Sequence, residues 1–442
     1  MRFRFGRQTE CRVKKDSGGI TACRTKGEFM MEYGLIGEHL GHSFSADIHG
    51  RIGLYGYELR EIAPQELDGF MRKHEFRGIN VTIPYKQSVI PYLDGIDENA
   101  QRIGAVNTVV CRDGKLYGYN TDFGGMSALA EKTGIDFGGK KTLILGTGGT
   151  SLTAAAVAQA HGAKQVIRVS RSGRGGAVTY EEAYRDHADA QIIINTTPCG
   201  MFPHGDGCPA ELSSFPNVEG VLDAVYNPLR TVLVSQALRA GLKASGGLYM
   251  LIAQAVLAAE IFTGKQLGTE ITDRIYSELL AEKENIVLIG MPGCGKSTVG
   301  RILAGRSGRR LIDTDSLTES DCGMRISEMF EKYGEEYFRD RETEAVKSAA
   351  AQSGCVIATG GGAVLRPENV AALKQNGRLY FLDRPVEQLI PTRDRPLAGS
   401  AEAIRRRYEE RYGIYTACAD TRIEVCGSAD LTVDCVERKH KV

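Results

Sequence analysis

The segment from Gly290 to Ser297 has the spacing of a phosphate-binding loop. It fits the pattern G-x-x-x-x-G-K-[ST] at every fixed position, and it follows a predicted strand, Ile286–Ile289, and opens a helix. In such a loop the backbone amides hold phosphates, the lysine reaches the β and γ phosphates, and the hydroxyl ligates Mg²⁺. We therefore predict an ATP site, with Lys296 in a catalytic role, at Gly293, Cys294, Gly295, Lys296, Ser297 and Thr298.

A second glycine turn has the context of a dinucleotide site. It comprises Gly146, Thr147, Gly148 and Gly149, between a predicted strand, Lys141–Leu145, and a predicted helix, Ser151–Ala160. The pyrophosphate of a dinucleotide binds at such a helix N-terminus, although the third glycine of the pattern is Ser151 here. Taken alone, the turn leaves an ordinary βα connection open.

The residues after the next strand, Gln165–Val169, indicate which dinucleotide would bind. An NAD site usually carries an acidic residue there, whereas this chain has Ser170, Arg171 and Ser172, with Arg174 nearby. A guanidinium matches a ribose phosphate, so this position favours NADP over NAD.

The elements that must position these loops form an α/β pattern. From Tyr33 onward, apolar runs alternate with helical patterns, which predicts parallel sheets. The charged segment 281–285 is predicted to be a linker between two α/β halves. Residues 1–30 are basic and lack periodicity, so we expect a disordered leader, with a misassigned start codon before Met31 as an alternative.

Composition excludes several classes of partner. Lys+Arg and Asp+Glu balance at 55 each, so nothing in the charge calls for nucleic acid or an anionic membrane surface. No run of 18 apolar residues predicts a membrane span. The eleven cysteines form no C-x-x-C pair, which is typical of reduced thiols in a cytoplasmic enzyme.

The segment from Tyr33 to about Leu280 resembles shikimate dehydrogenase. The matching blocks are Gly41–Ser45, Gly78–Lys86, Gly104–Thr108, Gly118–Asp122, Asn195–Met201 and Gln254-Ala255. The resemblance implies that Lys86 and Asp122 are the catalytic pair, and it leaves open which of them moves the proton. It also implies a substrate site of Ser43, Ser45, Thr82, Lys86, Asn107, Asp122, Tyr226 and Gln254, and it adds Gly247 to the NADP site.

The chain from about Asn285 to its end resembles shikimate kinase. The resemblance implies that Asp313 joins Ser297 at Mg²⁺, and that Asp315 holds the substrate hydroxyls in a catalytic role. Arg395 would cover the transferring phosphoryl group from a lid. The implied substrate site comprises Asp315, Arg339, Gly361, Gly362 and Arg411.

These resemblances imply three α/β domains behind the leader. A substrate domain would span 31–122 plus 247–280, a Rossmann NADP domain 123–246, and a P-loop kinase domain with a parallel sheet 286–442. The expected function is NADPH-dependent reduction of 3-dehydroshikimate followed by MgATP-dependent phosphorylation of shikimate, both small-molecule substrates.

Three alternatives remain open at this point. The first half could prefer quinate or use NAD, one half could bind ligand without turnover, and the basic leader could be a partner-binding arm. The sequence does not distinguish a monomer from a homodimer, and it does not reveal substrate channelling.

Overall fold

Three sheets, one after another along the chain, organise the molecule. The computed structural model describes residues 31–40, 44–389, 401–425 and 427–440. The predicted leader and two predicted site residues, Ser43 and Arg395, lie outside these ranges. Within them the predicted α/β class is confirmed, and no helix is long and apolar enough to cross a bilayer.

The first sheet is mixed, with strand order β2-β1-β3-β5-β6-β4. The strands β1, β2 and β3 are parallel, whereas β5 is antiparallel to β3 and to β6. Its strands are β1 Tyr33–Gly37, β2 Glu58–Glu61, β3 Gly78–Val81, β4 Gly95–Ile96, β5 Thr108–Arg112 and β6 Lys115–Tyr119. The helices of this region are α1 Ser45–Ile52, α2 Leu67–Lys73, α3 Glu98–Ile103 and α4 Thr121–Thr133.

The second sheet is wholly parallel, with order β11-β10-β9-β7-β8. The run Ile192–Ile194 is almost fully buried, as expected for a strand covered by helices on both faces. The strands are β7 Lys141–Leu145, β8 Gln165–Val169, β9 Ile192–Asn195, β10 Gly220–Asp223 and β11 Lys243–Ser245. The helices are α5 Gly149–Ala160, α6 Tyr180–Asp186, α7 Val232–Arg239, and then α8 Leu248–Thr263 and α9 Gly268–Lys283, of which α8 packs on α1 and α4 of the first region.

The third sheet is also parallel, with order β13-β14-β12-β15-β16. Its strands are β12 Asn285–Ile289, β13 Leu311–Asp313, β14 Val356–Ala358, β15 Gly377–Asp383 and β16 Thr421–Glu424. The helices are α10 Lys296–Ser307, α11 Thr314–Cys322, α12 Ile326–Ala350 with a break at Gly334, α13 Pro367–Asn376, α14 Ala401–Cys418 and α15 Ala429–His440.

Two local features concern the junction of the two halves and the start of α4. The predicted linker 281–285 is mostly regular structure, because α9 continues to Lys283 and β12 begins at Asn285, which leaves Glu284 between them. At the start of α4, the capping side chain is that of Asn120, which accepts a hydrogen bond from Phe123 N at 3.2 Å. Asp122 is therefore left in the first turn of the helix, where its carboxylate can serve another purpose.

Asp223, at the end of β10, is a fully buried carboxylate. It accepts hydrogen bonds from the Thr231 hydroxyl at 2.7 Å, from Val225 N at 2.9 Å and from Asn195 Nδ2 at 2.9 Å. Burial raises the pKa of Asp223 to about 6, and the three hydrogen bonds oppose that rise. The segment 224–231 is thus anchored at both ends to one titratable group.

We expect wild-type protein to gain stability relative to Asp223→Asn as the pH falls from 7 to 4.5. A carboxyl whose pKa is higher in the folded chain binds its proton more readily there, so its contribution is full below the unfolded pKa and is lost as the pH rises through about 6. Urea unfolding of both proteins across this range measures the difference. A difference that stays constant, or that moves in favour of the variant on acidification, would contradict the assignment.

Candidate active sites

A cavity of about 300 Å³ lies at the edge of the first sheet where β1, β3 and β6 end and β5 begins. Seven predicted residues line it together: Ser45, Thr82, Lys86, Asn107, Asp122, Tyr226 and Gln254. We call this the first cavity. The seven residues come from five separate stretches of chain: α1, the segment after β3, the two ends of the β5–β6 hairpin, the segment after β10, and α8. The strand order of the first sheet places the second and third of these side by side.

An ion pair dominates the chemistry of the first cavity. Lys86 Nζ lies 2.6 Å from Asp122 Oδ2, and the two side chains are only 28% and 18% exposed. Charge-assisted hydrogen bonds of this kind are among the stronger ones in proteins. The pair thus presents a fixed ammonium group, with its donors, to whatever occupies the cavity.

Buried amides hold the two members of this pair in place. Asn107 Oδ1 accepts from Thr121 N at 2.7 Å, and its Nδ2 donates to Thr121 Oγ1 at 3.0 Å. On the other side, Val106 N donates to the Lys86 carbonyl at 2.8 Å. One short segment, Val106-Asn107, therefore fixes the backbone on both sides of the ion pair.

The glycine turn after β7 is shaped to approach an anion. Gly146 has φ +114°, and Gly148 precedes α5 as an N-cap residue without a capping side chain, so the first amides of the helix are available. Ser151, in place of the third glycine, is buried and donates to the Gly148 carbonyl at 2.6 Å. A small residue is needed at this position, and serine satisfies that need.

The other predicted dinucleotide residues lie at the ends of β8 and β10, in the same sheet as this turn. Arg171, Ser172 and Arg174 are exposed just after β8, and Ser170 Oγ accepts from Gly173 N at 3.1 Å. Gly247 lies so close to β10 that an added Cβ would overlap the Ala224 carbonyl. The turn follows β7, which has β8 as its neighbour on one side and β9 on the other. The strand order reverses at β7, and open α/β sheets bind ligands at such a switch point.

The loop after β12 has the backbone conformation of a phosphate loop. Gly290, Gly293 and Gly295 all have positive φ, at 145°, 80° and 102°. Lys296 is buried and donates to the carbonyls of Gly290 at 2.8 Å and Met291 at 3.0 Å. Cys294 is buried as a small residue. The lysine therefore lies folded against its own loop.

A hydroxyl and a carboxylate meet beside this loop. Ser297 Oγ donates to Asp313 Oδ2 at 2.8 Å, although the two residues lie on different elements. The other oxygen of Asp313 caps α11 by accepting from Asp315 N at 3.1 Å and Ser316 N at 3.2 Å. These are hard oxygen donors of the type that Mg²⁺ prefers.

A second cavity, of about 420 Å³, adjoins Ser297 and Asp313. The predicted residues Asp315, Arg339, Gly361, Gly362 and Arg411 line it. Arg339 donates to Glu342 at 2.6 Å and to Glu335 at 3.1 Å, and Arg411 donates to the Gly361 carbonyl at 3.3 Å. Several cationic side chains thus face one polar space.

The comparisons with known proteins assign both halves. Residues 35–109 match the family model of the shikimate dehydrogenase substrate binding domain, and residues 292–437 match that of shikimate kinase. The NADP(+)-dependent shikimate dehydrogenase of Clostridium beijerinckii is 37% identical over 262 residues, which cover 55% of this chain and 96% of the relative. The chain belongs to the shikimate dehydrogenase family. Its C-terminal part is a shikimate kinase domain.

Solved structures agree with this assignment for the dehydrogenase half. A crystal structure of shikimate dehydrogenase from Peptoclostridium difficile is 37% identical, with a TM-score of 0.51 over 57% of this chain and 98% of that one. The enzyme from Thermus thermophilus, solved in complex with NADP(H) and shikimate, is 30% identical, with a TM-score of 0.50 over 56% of this chain and 99% of that one.

The structure adds residues that the sequence reasoning missed. Glu342 is almost fully buried beside Arg339; burial raises its pKa, and Arg339 opposes that rise. Its spacing of three from Arg339 on a helix could have revealed it. Arg407, one turn before Arg411, also lines the second cavity. Arg384 directly follows β15, at the same sheet edge as the phosphate loop, and this placement was its only signal.

We expect Gly362→Ala to impair the kinase domain while leaving the fold intact. An added Cβ would overlap the Arg339 guanidinium, which is the far end of a flexible side chain and would move out of the second cavity. Loss of such a charged contact should raise the Michaelis constant for the phosphoryl acceptor about ten- to a hundredfold. Gly413→Ala is the matched control, because none of the residues that the structure describes lies within 4 Å of its added Cβ. Equal kinetics for the two variants would contradict the role of Arg339.

Proposed function

We propose that this chain carries out two consecutive reactions on one small hydroxylated carboxylate. The N-terminal half would reduce 3-dehydroshikimate to shikimate with NADPH, and the kinase domain would phosphorylate the 3-hydroxyl of shikimate with MgATP. The observation that carries the proposal is the presence, on one chain, of the Lys86–Asp122 pair in the first cavity and the Lys296 loop beside the second cavity.

In the first reaction, the chain's own residues would bind the substrate and manage one proton. Ser43 and Ser45 would hold the carboxylate, while Thr82, Asn107, Tyr226 and Gln254 would fix the hydroxyls of the ring. NADPH supplies the hydride. Lys86 would stabilise the developing alkoxide or protonate it, because its ammonium group is held at 2.6 Å from Asp122 inside a partly closed cavity.

The residues around the glycine turn fit a phosphorylated dinucleotide. The uncapped start of α5 offers backbone amides to a pyrophosphate, and no described residue lies within 4 Å of a Cβ added to Gly148 or Gly149. The site would comprise Gly146, Thr147, Gly148, Gly149, Ser170, Arg171, Ser172, Arg174 and Gly247. Arg171 and Arg174 suit the additional phosphate of NADP.

In the second reaction, Asp315 would orient the attacking hydroxyl and accept its proton. Arg339 and Arg411 would bind the carboxylate, and Gly361 and Gly362 would let the substrate approach the backbone. ATP with Mg²⁺ supplies the phosphoryl group. Lys296 would neutralise charge on the phosphates, together with the amides of Gly293, Cys294, Gly295, Ser297 and Thr298 and with Arg395. Ser297 and Asp313 fit Mg²⁺, because their oxygens already lie 2.8 Å apart.

The three sheets support the proposed division of the chain into a substrate domain, a Rossmann domain and a kinase domain. The substrate domain would span 31–122 with 247–280, the Rossmann domain 123–246 and the kinase domain from 286 onward. All eight cysteines in the described part of the chain are free thiols, which supports a cytoplasmic enzyme. The proposed partners are the small-molecule substrates.

One complete reaction tests the proposal. Full-length protein is incubated with 3-dehydroshikimate, NADPH and MgATP, and the products are identified by mass spectrometry. We expect shikimate 3-phosphate. Lys86→Met should slow reduction by about 10²-fold or more, since it removes a positioned proton donor, yet it should still phosphorylate added shikimate. Lys296→Met should stop at shikimate.

The other outcomes separate the alternatives. Faster turnover of quinate with NAD⁺ would replace the proposed first reaction. Shikimate as the final wild-type product would leave only the dehydrogenase assignment standing. Binding of both substrates without turnover would mean that one half or both halves only sense ligand.

A further inference from the structure

The junction of the two halves contains a buried carboxylate. Glu284, between α9 and β12, is 1% exposed and lies between two guanidinium groups. Arg230 of the dehydrogenase half donates to Oε1, and Arg378 on β15 lies 3.1 Å from Oε2. A buried carboxylate is costly unless it is paired in this way. Separation of the two halves at this point would therefore leave a buried charge without one of its partners.

Arg230 also caps the C-terminal end of α13, a helix of the kinase domain. Its Nη1 donates to the carbonyls of Lys374 at 3.1 Å and Gly377 at 3.3 Å, and its backbone N donates to Gln375 O at 2.9 Å. The last carbonyls of a helix have no intrahelical donor. Gly377 follows α13 with φ −128°, so α13 lacks the left-handed cap that commonly satisfies them. The dehydrogenase half therefore supplies the C-terminal cap of α13.

The other end of α13 leads into the glycine loop of the second cavity. Asn369, fully buried on α13, donates to the Ala363 carbonyl at 2.9 Å. Leu365 N donates to Gly362 O at 3.0 Å. The preceding residue, Gly361, accepts a hydrogen bond from Arg411 at its carbonyl. A continuous series of hydrogen-bonded groups thus runs from Arg230 through α13 to the loop that contacts the proposed substrate arginines.

We propose that Arg230 is a positioning residue of the kinase site, acting through α13 on the loop Gly360–Gly362. This inference rests on the proposed kinase function. The backbone beside Arg230 is fixed independently, because Thr231 is bonded to Asp223, so the guanidinium can be changed without moving the Tyr226 wall of the first cavity.

Full-length Arg230→Met and Arg230→Lys test this role against Arg239→Met. Arg239 is an exposed arginine at the same junction that donates only to the Ser235 carbonyl within its own helix in the described part of the chain. We expect Arg230→Met to raise the kinase KM for shikimate about tenfold, with KM for ATP and both dehydrogenase constants within about twofold of wild type. Arg230→Lys, which keeps the charge near Glu284, should fall between. Hydrogen exchange should increase at 363–377.

The other outcomes would overturn either the positioning role of Arg230 or the proposed kinase function. Faster exchange in α13 with unchanged kinase KM would reduce Arg230 to a structural cap. Equal losses in both activities would mean general destabilisation, and the Lys variant decides the matter if the Met variant does not fold. A wild-type protein without kinase activity would instead refute the proposed function.

A different observation concerns Arg384, directly after β15. Its Nε is buried with no hydrogen-bond partner among the described residues, which is costly for a cationic group. Its Nη2 lies 3.8 Å from the position that a Cβ on Gly295 would take. Gly295 is the residue that precedes α10 in the phosphate loop, so the Nη2 end of this guanidinium lies beside the amides that would hold phosphates.

We infer that Arg384 binds a phosphate of the nucleotide through the Nη end of its guanidinium, which lies beside Gly295. The inference rests on the proposed ATP site. Calorimetric binding of MgADP to Arg384→Gln should be about tenfold weaker than to wild type, with KM for ATP raised similarly and KM for shikimate unchanged. Arg306→Gln, in the last turn of α10 and paired with Asp430 and Asp434, is the control.

Unchanged MgADP affinity for Arg384→Gln, with wild-type binding intact and Lys296→Met impaired, would refute this role and leave the phosphate loop assignment standing. Failure of wild type to bind MgADP would refute the ATP site itself. Loss of shikimate affinity alone would reassign Arg384 to the acceptor.

Discussion

The convergence of the carboxyl ends of parallel strands is the constraint on which both phosphate-binding loops depend. Strands that run in the same direction deliver their following residues to the same place. The glycine turn after β7 and the phosphate loop after β12 both begin there, each directly before a helix whose first amides can bind an anion. Asp313 and Arg384 reach the phosphate loop for the same reason, since they end β13 and follow β15 in the sheet that contains β12.

Buried polar groups then convert this rough placement into fixed geometry. Asn107 is hydrogen-bonded to the backbone and hydroxyl of Thr121, and this sets the first turn of the helix that carries Asp122. Glu342 has the corresponding role beside Arg339. Each of these groups would be costly if it were left unpaired, so the arrangement that satisfies them is strongly preferred over its alternatives.

Fusion of the two enzymes has produced a junction with its own chemistry. The connection between α9 and β12 is one residue, and that residue carries the buried carboxylate that both halves neutralise. Because the connection is so short, the facing surfaces of the two halves stay at a high effective concentration. Contacts between them that would be weak in separate proteins can therefore remain formed. The product of the first reaction is the substrate of the second, and the two sites remain separate cavities in the described part of the chain.

The sequence alone determined what depends on neighbours along the chain. Strands Lys141–Leu145 and Gln165–Val169 have the predicted bounds, and both glycine loops lie where their spacing put them, because hydrophobic periodicity and backbone freedom are local properties. The family resemblance added the residues of the first cavity. The tertiary structure alone decided that Asn120 rather than Asp122 caps α4, and that Glu284 joins Arg230 to Arg378. Burial and pairing between distant residues leave no pattern in a single sequence, since they arise only when separate elements pack together.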